Sequence, residues 1–255
     1  MSTTDLERIL ELLPEHAFGR PLTILDVTTS TNDVARELAE FGAVHGCTVV
    51  ADRQTAGRGS QGRVWYSPPG VNLYVSMVLR PRLAPARLPL LSLALGLAVC
   101  DCVRGVSDLA ALVKWPNDVW IGRRKVAGIL VEASSIASAD EPARFAIAGI
   151  GLDVNLDVPV DLSGVATSMA HAAGRSFDRA DVLASLLAWV QRWLEDLESG
   201  SDIPAALADR LALVGEPAFV DDQPCVVEGV DPDGSLRVRT ERGTVRYASG
   251  QLRPR

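Results

Sequence analysis

Two short stretches concentrate residue types that handle anions. The first, QTAGRGSQGRVW (54–65), sets two arginines, Arg58 and Arg63, among glycines. Glycine lets backbone N–H groups approach an anion closely, and guanidinium offers forked donors that match carboxylate and phosphate oxygens. The second, KWPNDVWIGRRK (114–125), places Lys114, Asn117, Asp118 and Lys125 within twelve residues. The lysines can stand as compact charges beside phosphates, and Asn117 can present its amide to a base ring or a metal-bound oxygen. Gly128, inside a strand pattern, marks close approach by a ligand or another backbone. Each stretch alone has an ordinary alternative: a surface turn with solvated arginines, and a β-hairpin turning at Gly122-Arg123-Arg124 with surface lysines.

Gly57, Gly59 and Gly62 spell G-x-G-x-x-G, and Val64 extends the match to the Gly-rich loop of protein kinases. A dinucleotide-binding loop needs its third glycine to open a helix and an acidic residue about twenty positions on. Here Trp65-Tyr66-Ser67-Pro68-Pro69-Gly70 follows, which builds no helix, and positions 77–82 carry no acid. No H-R-D, D-F-G or A-P-E segment supports a kinase.

The elements that must hold these stretches follow from periodicity. Strand patterns fall at 22–27, 47–52, 72–79, 112–116, 118–122, 125–133 and 144–155. Helical spacing covers 31–42, capped by Thr31 or Asn32 and closed by Gly42, and also 90–103 and 179–198. A small polar loop, SSIASADEPA, joins the last two strands of the group. Strands cluster with few intervening helices, which predicts an α+β fold with a mixed, mostly antiparallel sheet and helices on one face. After Leu213, short strand runs separated by Asp231-Pro232-Asp233-Gly234 and Arg242-Gly243 predict a separate small β-barrel. The resulting division is a short N-terminal helix over 1–20, a catalytic domain over 21–212 and a barrel domain over 213–255.

With 255 residues, 47% of them apolar, the chain can bury a sizeable core. Its net charge of −7 argues against a phosphate-backbone binder. No apolar run in the sequence reaches the ~20 residues of a membrane span, and the acidic, amphipathic start is unlike a secretory signal. These features predict a cytoplasmic protein that binds neither DNA nor membrane. Cys47, Cys100, Cys102 and Cys225 form no C-x-x-C pair and His16, His45 and His171 are scattered, so no metal-ligand set or disulfide framework is predicted.

Taken in order, STN (30–32), QTAGRG…GRVW (54–65), LSLALGLAV (91–99), KWPNDV (114–119), KVAGIL (125–130) and GIGLDVN (149–155) resemble the bacterial biotin protein ligases, the biotin–[acetyl-CoA-carboxylase] ligases. The resemblance runs from about residue 20 onward and includes the SH3-like terminal barrel. It implies activation of biotin by Mg-ATP to biotinyl-5′-AMP, then transfer to one lysine of a biotin carboxyl carrier domain. Carried over by motif, Ser30, Thr31, Asn32 and Gln54 match contacts to the biotin ureido ring. Gly57, Arg58, Gly59 and Ser60 match the loop closing over biotin's carboxylate and the intermediate's phosphate. Lys125 matches the lysine on the reacting carboxylate and α-phosphate. Lys114, Asn117, Arg63 and Asn155 match the nucleotide side, and Trp65 an aromatic wall. Asp118 is the candidate to orient or deprotonate the acceptor amine, while Gly128, Gly149 and Gly151 form a tight floor.

Two positions depart from the family pattern: Ser60 replaces a second arginine, and Asp153 stands where asparagine is usual. An extra carboxylate at 153 would either weaken ATP binding or help hold Mg²⁺. The short acidic N-terminus predicts a ligase without the family's repressor limb, acting as a monomer or weak homodimer. Two rival readings are a lipoate-type ligase and a biotin-binding sensor with weakened catalysis.

Overall fold

The computed structural model describes residues 4–134 and 143–255; the predicted loop SSIASADEPA lies mostly outside them. Seven strands make the main sheet: β1 (Leu22–Thr28), β2 (Thr48–Gln54), β3 (Leu73–Leu79), β4 (Ala111–Lys114), β5 (Asp118–Ile121), β6 (Arg124–Ala133) and β7 (Ala146–Leu152). Their spatial order is β1-β2-β3-β7-β6-β5-β4. Only β1 and β2 run parallel; every other pairing in this sheet is antiparallel. The mixed, mostly antiparallel expectation holds.

The helices are α1 (Thr4–Glu7), α2 (Ile9–Leu12), α3 (Thr31–Glu40), α4 (Pro89–Ser107), α5 (Met169–Ala173), α6 (Arg179–Glu198) and α7 (Ile203–Leu207). They cover both faces of the sheet, not one. Strand β3, LYVSMVL, is buried at all seven positions, so its two rows of side chains both need a cover. Val75, Met77 and Leu79 join the core under α4 and α6, whereas Val78 packs with Ala35 and Ala39 of α3. The sequence shows that the run is apolar, but not that two layers share it.

Helix α4 is longer than the predicted 90–103. With the preceding turn it forms a stretch, Pro85–Ser107, long and apolar enough to cross a membrane, which corrects the expectation drawn from apolar runs. Its side chains from Leu90 to Val103 are mostly buried in the protein core instead. Asp108, in a left-handed conformation (φ 57°), closes it.

A second sheet is wholly antiparallel: β8 (Pro217–Val220), β9 (Gln223–Val230), β10 (Leu236–Thr240), β11 (Gly243–Tyr247) and β12 (Leu252–Pro254), in the order β11-β10-β9-β8-β12. It is compatible with a small SH3-like unit. Buried Trp115 donates its indole N–H to Gly234 O at 3.0 Å, tying this sheet to the KWPND segment. At the other end, Arg179 is 1% exposed and paired with Asp52 (2.8 Å) and Asp5, which fastens the N-terminal helices to α6.

Candidate active site

Cross-strand register builds the floor of a pocket on the α3 face. Gly128 of β6 pairs directly with Gly151 of β7, and Tyr74 of β3 flanks Gly151 on its other side. One row along, Gly149 lies between Ser76 and Leu130. A Cβ at Gly151 would lie 2.5 Å from Trp65 Nε1, and one at Gly149 would collide with the Asn32 amide. These glycines let the Trp65 wall and the Asn32 amide lie directly on the sheet.

The same pocket is lined by Ser30, Thr31, Gln54, Arg58, Gly59, Ser60, Asn117 and Lys125. Gln54 Oε1 accepts from Thr31 N (2.9 Å) and Oγ1 (3.2 Å), and its Nε2 donates to Ser67 Oγ at 3.1 Å. Ser76 Oγ lies 2.7 Å from Thr31 Oγ1 and 2.6 Å from Asn32 Oδ1. Ser30 occupies the N-cap of α3, but its side chain makes no capping bond. The predicted capping by Thr31 or Asn32 is therefore corrected: both lie inside the helix, and their polar atoms face the pocket. Among the described residues the Trp65 indole N–H, packed against Gly151, is buried without a hydrogen-bond partner.

A second pocket adjoins the first through Ser60, Asn117, Ile129 and Leu130, and adds Arg63, Lys114 and Asp118. Asp118 is buried between two ammonium groups, with Lys125 Nζ 2.6 Å from Oδ1 and Lys114 Nζ 3.3 Å from Oδ2. Burial lowers the Lys114 pKa despite Asp118, and the Lys125 and Arg63 charges add to the lowering. Lys125 Nζ also stands 5.1 Å above the Trp65 ring, and the β4–β5 and β5–β6 hairpins bring Lys114 and Lys125 to one carboxylate. Asn117 donates its amide to Ile129 O at 2.8 Å, so that half of its side chain is committed to the fold. Arg63 donates to Ser60 Oγ at 2.9 Å, placing a guanidinium at the position where serine supplies no charge.

Three predicted positions fall elsewhere. Gly57 lines neither pocket: its carbonyl accepts from Trp65 N at 2.9 Å on the outer side of the loop. The Asn155 amide is spent on Phe177, donating to its O (2.8 Å) and accepting from its N (2.9 Å). Asp153 is 5% exposed and accepts from Asn72 Nδ2 at 2.7 Å. Burial raises its pKa to about 8, with Lys125 pulling the other way, so near neutral pH it is largely uncharged and offers no extra negative charge.

Sequence reasoning missed Asp33, Ser67, Ser76, Glu132 and the barrel segment Ala248–Gln251, which lines the second pocket. One signal was available: Ser76 is the lone polar residue inside an apolar strand.

A mixed sheet with a glycine floor, a glycine–arginine loop and a lysine–aspartate cluster across β4, β5 and β6 defines a carboxylate-activating ligase domain. The chain belongs to the biotin/lipoate A/B protein ligase family, whose model matches residues 24–152. It is 34% identical to the biotin–[acetyl-CoA-carboxylase] ligase of Paracoccus denitrificans, over 85% of this chain and 93% of that protein. It is 36% identical to the bifunctional ligase/repressor BirA of Bacillus subtilis over 76% of this chain, and spans 60% of that protein's length. The solved structure of biotin protein ligase from Aquifex aeolicus in complex with biotin and ATP superimposes with a TM-score of 0.81 at 30% identity, covering 92% of this chain and 100% of that one.

Proposed function

We propose that the chain activates biotin with ATP to biotinyl-5′-adenylate and transfers the biotinyl group to a lysine of a carboxylase carrier domain. The observation that carries this reading is the junction of the two pockets. A compact, polar-lined ring site opens through Ser60 and Asn117 onto a cluster of cations. Thr31, Asn32 and Gln54, held by bonds to one another, Ser67, Ser76 and Glu132, give the pocket a polar wall suited to a ureido ring rather than to an apolar dithiolane. That favours biotin over lipoate.

In the first step a carboxylate oxygen of biotin bonds to the α-phosphorus, and the bond to the bridging oxygen breaks, releasing pyrophosphate. Two anions must meet, so preorganised positive charge is needed where they do. Lys125, at the junction, supplies it on the biotin side; Lys114 and Arg63 supply it on the nucleotide side. In the second step an amine nitrogen bonds to the acyl carbon and the carbon–oxygen bond to AMP breaks. Asp118 is the acceptor that orients the entering amine and takes its proton. Two ammonium groups hold its carboxylate in place beside the second pocket.

ATP is expected to arrive with Mg²⁺, which neutralises phosphate charge when bound. Among the described residues Asp118 is the only carboxylate lining the second pocket, and both of its oxygens face lysines. This donor set builds no dedicated magnesium cage, as is usual for an ion carried on substrate phosphates.

The test is ATP–pyrophosphate exchange with biotin or lipoate, followed by labelling of a purified carrier domain. Exchange that needs biotin, together with label on the carrier lysine, is the expected result. Exchange driven by lipoate would overturn the substrate, and exchange without carrier labelling would leave a biotin-binding sensor.

A further inference from the structure

Arg58 reaches the mouth of the ring pocket already gripped by the body of the protein. Asp33 of α3 takes it end-on, with Nη1–Oδ2 at 2.8 Å and Nη2–Oδ1 at 2.6 Å, and Glu132 of β6 lies 3.8 Å from Nη2. The pairing with Asp33 lowers that carboxyl's pKa. Glu132 has two further partners: its Oε2 accepts from Asn32 Nδ2 at 2.6 Å, and its Oε1 pairs with Arg36 at 3.1 Å. The other end of the Asn32 amide, Oδ1, faces Ser76 Oγ at 2.6 Å. With its donor side on Glu132 and its acceptor side on Ser76, that amide has one orientation. By contrast, the bonds of Gly59, Ser60 and Arg63 stay within their own loop.

We propose that Glu132 is a positioning residue that couples the two ends of the ring pocket: it fixes the Asn32 amide over the glycine floor and, with Asp33, holds the Arg58 arm of the 55–65 loop across the mouth. The role at the ring rests on the biotin reading of the pocket, whereas the hold on the loop does not. Glu132 side-chain exposure is 28% and Arg58's is 38%, so the grip on the loop is weak enough to open for ligand exchange and to respond to salt.

Three substitutions in the full chain separate these roles. Glu132→Gln keeps an acceptor for Asn32 and removes the charge facing Arg58. Glu132→Ala removes both. Arg36→Gln removes the third partner while leaving the Asn32 and Arg58 contacts in place. Without ligand, trypsin cleavage after Arg58 and Arg63 reports the loop; calorimetric biotin affinity reports the ring site; thermal melting reports the fold.

Glu132→Gln is expected to be cut about two- to fivefold faster after those two arginines only, and to bind biotin more weakly by a similar factor that vanishes in high salt. Glu132→Ala is expected to bind biotin several-fold more weakly again, and Arg36→Gln to be cut at the wild-type rate. Equal cutting of wild type and Glu132→Gln would overturn the hold on the loop. Equal biotin affinity of the Gln and Ala variants would overturn the hold on Asn32. If Arg36→Gln behaved like Glu132→Gln, the effect would belong to the seating of α3, and the coupling would be wrong. A wild-type chain that binds no biotin, with Glu132→Gln still cut faster, would sink the proposed function and leave the loop role standing.

Discussion

Asp153 carries a large penalty that a single substitution can expose. Its pKa is about 8 in the folded protein against 3.8 for an ordinary aspartate, and burial is the first cause. A group whose folded pKa is raised contributes stability that is fully present below the unfolded value and is lost as pH climbs to the folded one. The window therefore runs from about pH 4 to pH 8, and stability falls across it. At 1.36 kcal/mol per unit, a shift of about four units sets a ceiling of about 6 kcal/mol. The Asn72 amide, 2.7 Å away, stabilises the charged form and reduces this. Asp153→Asn keeps an oxygen to accept from Asn72 and removes the ionisation. It should be nearly isostable with the wild type at pH 4 and more stable by about 1–4 kcal/mol at pH 8. Urea unfolding of both proteins at half-unit steps from pH 4 to pH 9 measures the gap. A gap that does not widen with pH, or a variant less stable at pH 8, would refute the buried neutral carboxyl.

Lys125→Met should remove at least about a hundredfold of biotin-dependent pyrophosphate release while the protein still melts cooperatively, because the lost charge acts where two anions meet. Gly151→Val should push side-chain atoms into Trp65, costing about 1–3 kcal/mol in thermal unfolding and abolishing measurable biotin binding by calorimetry. Gln251→Ala, in the barrel segment of the second pocket, should raise the KM for ATP about two- to tenfold and leave biotin affinity unchanged. Ser60→Arg should slow release of labelled biotinyl-adenylate in the absence of carrier; an unchanged rate would mean that Arg63, already bonded to Ser60, supplies that charge.

Local patterning determined a good deal of this protein. Period-2 and period-3.6 apolar spacing placed β1, β3, β6 and α6 to within a few residues, because those periods record which face each residue buries. The motif residues Arg58, Lys114, Asp118 and Lys125 were legible too, since chemistry at an anion site demands particular side chains at short spacing. Only the tertiary structure decided which distant residues meet them. Glu132 reaches Asn32 across one hundred positions, and Asp33 meets Arg58 across twenty-five, through strand register and the seating of α3, which no local spacing encodes. The double-sided burial of β3, the inward turn of Asp153 and the arrival of Ala248–Gln251 beside Lys114 have the same origin. Each depends on which layer packs against which face, and that choice is made by the whole core at once.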